Sequence, residues 1–94
     1  MKTTQEIKTI LESEGFPHIY EWEDAPGTEY PKHSHKGAVS MFIMEGDLKM
    51  WLDDKELFLQ KGERFNIPIG VEHFAKVGEN GCKFVVGEMI EGDS

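Results

Sequence analysis

The chain has one cysteine, Cys82. An internal disulfide and a cysteine zinc cluster are therefore excluded, and a reducing cytoplasm is the expected compartment. Positive charge is also scarce: ten Lys and Arg stand against eighteen Asp and Glu, a net charge of -8. Nucleic-acid binders carry a basic patch or stripe, and anionic membranes attract basic segments, so neither partner is expected. No apolar run approaches the roughly 18 residues of a membrane-spanning helix. The opening MKTTQEIKTI lacks the apolar core of a signal peptide. There is no internal repeat, linker or low-complexity stretch. The 94 residues leave room for one core, since domains run about 50–200 residues.

What is present first is a helix signal. Thr3-x-x-Glu6 fits a capping box, and Ile7, Ile10, Leu11 and Glu14 recur on one helical face. Gly15 and Pro17 stop the helix. A short N-terminal helix over 1–15 is expected to pack on the remainder, 16–94. From Phe16 onward the pattern changes to short alternating runs. Strands are expected at 18–23, 31–35, 38–45, 48–53, 56–60, 64–68, 72–77 and 82–90. Between them lie turn signals such as Gly46-Asp47, Asp53-Asp54-Lys55, Lys61-Gly62, Pro68-x-Gly70 and Gly78-Glu-Asn-Gly81. Several short strands at this spacing predict an all-β sandwich or barrel. The final Glu-Gly-Asp-Ser reads as a frayed tail.

His33 and His35 are two residues apart, so on a strand both imidazoles share a face. Such a pair is half of a metal site or a solvated surface pair. A third histidine, His73, follows a turn at Pro68 and Gly70 and begins the returning strand. As patterns, Gly27 to Gly46 reads G(X)5HXH(X)10G, and Gly62 to His73 reads G(X)5PXG(X)2H.

These two segments resemble the two motifs of the cupin superfamily, G(X)5HXH(X)3-4E(X)6G and G(X)5PXG(X)2H(X)3N. Gly27, His33, His35, Gly46, Gly62, Pro68, Gly70 and His73 all fall in register. The resemblance spans roughly residues 18–90. It implies a small antiparallel β-barrel of jelly-roll type and a metal role for His33, His35 and His73. It departs from the family at two places. The motif glutamate falls at Val39, or at Ser40 if the gap is one longer, and the motif asparagine falls at Val77.

A three-histidine set holds one divalent ion, with Fe, Zn, Ni, Mn and Cu all open, since ligand type does not choose among them. Three neutral imidazoles leave the ion its full +2 charge and leave coordination positions open, as catalytic sites do. Some three-histidine cupins are dioxygenases acting on small anionic chelating substrates. The resemblance thus implies an oxygenase-like metalloenzyme. A non-catalytic binding or sensing module for a small ligand is the alternative, and a barrel merely stabilised by its ion is a third reading. No catalytic residue is identified.

By alternation, Val39, Met41, Ile43, Ala75, Val77, Cys82, Phe84, Val86 and Glu88 face inward with the histidines. An apolar lining of this kind suits a small, partly hydrophobic ligand. Glu88 is read either as an inward carboxylate or, more plainly, as a rim charge in water. Glu29 could reach the ion through its loop; Glu72 takes the face opposite His73. His18 reads as a packed or surface histidine beside Tyr20 and Trp22. Cys82 reads as a small buried residue. Trp51, with Phe42 and Met44, is expected on the outer face, where exposed aromatics would form a homodimer interface.

Overall fold

The capping box forms. In the computed structural model, which describes residues 2–93, helix α1 spans Thr4–Ser13. The Glu6 N–H donates to the Thr3 hydroxyl at 3.1 Å, and the Thr3 N–H donates to the Glu6 carboxylate at 3.0 Å. Two amides that the helix itself cannot satisfy are thereby paired.

The alternating runs become β1 (His18–Asp24), β2 (Glu29–His33), β3 (Val39–Leu52), β4 (Lys55–Gln60), β5 (Arg64–Ile67) and β6 (His73–Glu88). Two expected turns are not turns. β3 runs through Gly46-Asp47, joining the strands expected at 38–45 and 48–53. β6 runs through Gly78–Gly81, joining those expected at 72–77 and 82–90. The register explains this. Gly46 pairs with Cys82, whereas Leu48 pairs with Val77. The extra residues of β6 form a bulge, and a bulge bends a strand without ending it. Gly46 is required there: its φ is +76°, and a Cβ would lie 1.9 Å from the Gly81 carbonyl oxygen.

β3 and β6 pair antiparallel on both sides of this bend. Beyond it, β1 and β5 flank the half that contains Val39 and Glu88. β2 and β4 flank the half that contains Leu52 and His73. The result is an all-β, antiparallel jelly-roll barrel in two four-stranded halves. Both halves fill one interior. Val39, Met41, Ile43, Phe84 and Val86 come from the first, and Leu48, Met50, Leu59, Ala75 and Val77 from the second. Cys82 is buried among them, and burial pushes its thiol up to about 12.

Outside the first half lies α1. Ile7 and Leu11 pack on Phe42, Met44 and Val85, with Phe16 and Ile19 alongside. Phe42 and Met44 do face outward as expected, but the helix buries them, so they offer no surface to a second copy. Gly87 lets the helix settle closely, since a Cβ there would meet Phe16 Cγ at 3.0 Å and Leu11 Cδ2 at 3.1 Å. Arg64 fastens the helix end: it donates to Glu14 at 2.9 Å and lies 4.8 Å over the Phe42 ring. The outer face of the second half carries Trp51 stacked on Phe74 at 4.9 Å, with Phe58 nearby in register and 52% exposed. Among the described residues, no helix is long and apolar enough to cross a membrane.

Candidate metal centre

The bent strands bring the start and the end of β6 to one end of the barrel. His73 opens β6 and pairs with His33, the last residue of β2. His35 follows two residues later. The expected strand 31–35 therefore ends early, and His35 sits in the connection to β3. Its ring nevertheless joins the other two. Ring centroids lie 4.9 Å apart for His33 and His35, 4.3 Å for His33 and His73, and 4.9 Å for His35 and His73. His35 and His73 are buried, and His33 is half-buried.

Each ring is oriented by a backbone carbonyl. The Nδ1 of His33 meets the Pro31 carbonyl at 2.7 Å, that of His73 meets the Val71 carbonyl at 3.0 Å, and that of His35 meets the Asp93 carbonyl at 3.0 Å. A carbonyl only accepts, so each Nδ1 carries the proton and donates it. In the neutral ring, Nε2 is then left with its lone pair. The His35 and His73 Nε2 atoms stand 3.2 Å apart. The three ligand nitrogens gather within 4.8 Å of one another. Facing lone pairs repel unless a cation lies between them. Nitrogens bound at about 2.0–2.1 Å to one tetrahedral ion stand about 3.3–3.4 Å apart. The donor set thus fits a divalent ion in chemistry, and the His35–His73 pair fits it in spacing. Burial holds His73 below the ordinary imidazole value, and the charges of His33 and His35 add to this, against the opposing Val71 carbonyl. A neutral ring is the form a metal needs.

The loop that carries His35 is fixed from two sides. The Gly70 N–H, in the Pro68-x-Gly70 turn, donates to the His35 carbonyl at 2.9 Å. The Asp93 carboxylate accepts from the Lys36 and Gly37 N–H groups at 3.0 and 2.9 Å. Those two hydrogen bonds hold the Asp93 carboxyl below the usual carboxylate range. The tail expected to fray is therefore tied in at Asp93; Ser94 lies outside the described residues. No periodicity points to Asp93, because its partners are backbone groups more than fifty residues away.

The remaining candidates separate clearly. Val39 faces the interior, while Ser40 faces outward, where it donates to Asn66 at 2.6 Å and accepts from Arg64 at 2.8 Å. Val39 is thus the position that corresponds to the motif glutamate. Val77 is buried in the apolar core. Glu29 and Glu72 are exposed, and His18 is half-buried on β1. Glu88 corrects the plainer reading: it is no rim charge in water but is 3% exposed, and it accepts from the Tyr20 hydroxyl at 3.2 Å.

Comparison with known proteins agrees with this architecture. The family model described as Cupin domain matches residues 20–87. No curated protein matches the chain significantly. Among solved structures, a cupin-2 domain containing protein of Shewanella frigidimarina is 29% identical with a TM-score of 0.63, over 72% of this chain and 65% of that one. The chain thus spans just under two thirds of that relative. A protein of Neisseria meningitidis is 27% identical with a TM-score of 0.65, over 77% of this chain and 72% of that one. The DMSP lyase of Ruegeria pomeroyi, 19% identical with a TM-score of 0.69 over 81% of this chain and 39% of its own, shares the fold. With both histidine segments inside the matched region and the barrel bent as described, the chain belongs to the cupin family.

Proposed function

We propose that His33, His35 and His73 hold one divalent metal ion, and that the protein acts on a small anionic chelating substrate as an oxygenase-like metalloenzyme. The observation that carries this reading is the gathering of one ring nitrogen from each of three histidines within 4.8 Å, with every Nδ1 on a backbone carbonyl. When bound, the ion supplies Lewis acidity and open coordination positions.

The chain's own residues do the rest. The three imidazoles add no negative charge, so the site favours anionic groups over neutral ones. Val39, Met41, Ile67 and Val86 are buried in the apolar interior of the barrel. The Asp93 and Gly70 contacts keep the His35 loop from moving, and a preorganised ligand set loses less freedom on binding. Reduced Cys82, buried and without a disulfide partner, is in keeping with a cytoplasmic protein.

Elemental analysis tests the reading. Untagged protein is expected to hold near-stoichiometric metal, and a His33→Ala/His73→Ala variant is expected to hold none. If neither retains metal after reconstitution with Fe(II), Zn, Ni, Mn or Cu, the reading fails. Oxygen uptake with a panel of β-diketones, thiols and 2-hydroxy acids then separates an oxygenase from a binding module. Ligand binding without turnover would assign the chain to the second class.

A further inference from the structure

The family motif places a carboxylate at position 39, and this chain has valine there. The register shows what lies beside it. Along one row of the first half run His18, Glu88, Val39 and Ile67, each paired with the next. Cα atoms paired across antiparallel strands are about 4.5–5.5 Å apart. Glu88 therefore stands one strand from the vacant position on the same inward face, and Asp93, five residues further on, meets His35 through its carbonyl at 3.0 Å. It is one of four buried polar or charged residues among those described: His35 and His73, both in the site; Ser40, which faces out under Arg64; and Glu88.

A buried carboxylate is costly unless something compensates it. The Tyr20 hydroxyl compensates in part, at 3.2 Å. Among the described residues no salt bridge to Glu88 is formed; the cations within 4 Å of a carboxylate serve other partners. A divalent ion at the three imidazoles would supply positive charge.

We propose that Glu88 is the carboxylate of this metal site, delivered from β6 in place of the one missing from β3. It lies outside the group of ligand nitrogens that gather within 4.8 Å. It therefore acts through its charge and through what occupies the open positions, and leaves those positions free. Tyr20 is its positioning residue. The inference rests on the three-histidine reading, and it narrows the ligand class. The anionic end of a ligand meets the ion, and a hydrogen-bond donor on the same ligand faces Glu88.

Co(II) alone is the probe. Its affinity is measured by competition with a chromophoric chelator, and its visible spectrum reports its surroundings. Four proteins are compared: wild type, His73→Ala, Glu88→Gln, and the exchange variant Val39→Glu/Glu88→Val, which moves the carboxylate one strand across at nearly constant volume. Circular dichroism and melting confirm that each is folded. Glu88→Gln is expected to weaken Co(II) binding about 10–100-fold, the range seen when groups around a metal's ligands are removed. The exchange variant is expected to recover most of that loss. Wild-type affinity in Glu88→Gln, with binding abolished in His73→Ala, overturns the role of Glu88 and leaves the three-histidine site standing. Weak binding in a folded exchange variant overturns the equivalence of the two positions. Co(II) binding unaffected by His73→Ala overturns both readings together.

Discussion

β3 and β6 each cross both halves of the barrel, yet the two halves of each strand live in different surroundings. In the first half, the inner face meets the shared core and the outer face meets α1, so Phe42, Met44 and Val85 are buried from both sides. In the second half, the inner face carries His73 and pairs with His33, while the outer face is bare and carries Trp51 and Phe74. The same backbone thus carries the helix contact on one side of the Gly46 bend and the His73–His33 pair on the other. The helix covers the outer face of the first half. The histidine rings are held by backbone carbonyls at Pro31, Val71 and Asp93.

The largest effect expected from this division is on stability, and it is confined to the first half. Leu11 is fully buried. Leu11→Ala removes the centre of the α1 contact and should cost about 2–5 kcal/mol, as buried Leu→Ala changes do. Lys49→Ala on the bare face breaks only an exposed pair with Glu56 at 3.5 Å and should stay within about 0.5 kcal/mol. Urea unfolding of the two variants at neutral pH measures the difference. Equal losses would mean that the helix does not stabilise its half.

A smaller effect, on binding and not on folding, is expected at the loop that carries His35. Asp93→Ala removes the two hydrogen bonds to the Lys36 and Gly37 amides but leaves the Asp93 carbonyl on His35. The His35 loop loosens, and metal affinity should fall about tenfold, at the low end of the range for supporting groups. The melting temperature without metal should move little. Zinc titration with a competing chelator reads the first quantity and calorimetry the second. A large loss of melting temperature with unchanged zinc affinity would make Asp93 a structural tether only.

These two outcomes bear on what the sequence reveals. Inward and outward alternation is legible from residue to residue, and Val39, Met41, Phe84 and Val86 face as it predicts. The three histidines are legible because their spacing relative to Gly27, Pro68 and Gly70 is local. Strand ends are less so: Gly46 and Gly81 read as turns, yet a bulge uses glycine for the same close approach and keeps the strand going. Contacts between distant segments are not legible at all. The burial of Phe42 and Met44 depends on where α1 docks. The burial of Glu88 depends on Tyr20, 68 residues away. Asp93 lies in a polar tail whose composition suggests fraying, and only the fold brings it to the His35 loop.

The smallest effect separates His73 from the carboxylates by pH. In the metal-free protein, burial lowers His73 below its ordinary value of 6.5. The unfolded chain then binds a proton at this residue over a window in which the folded chain does not. Folding stability therefore rises with pH across the window and is lost as pH falls from 6.5 to the lowered value; below that value the difference is constant. The carboxyls of Glu14 and Asp93 are also lowered, by the Arg64 hydrogen bond and by the Lys36 and Gly37 amides respectively. Their stabilisation is fully present above their ordinary values of 4.5 and 3.8 and is lost as pH falls through the lowered ones. The windows differ, so the His73 contribution should be lost first on acidification and those of Glu14 and Asp93 later. Urea midpoints of metal-free wild type and His73→Asn, taken between pH 7.5 and 3.5, measure this. The upper slope should be present in wild type and absent in the variant, while the lower slope should remain in both. An upper slope that survives His73→Asn would assign it to some group other than His73.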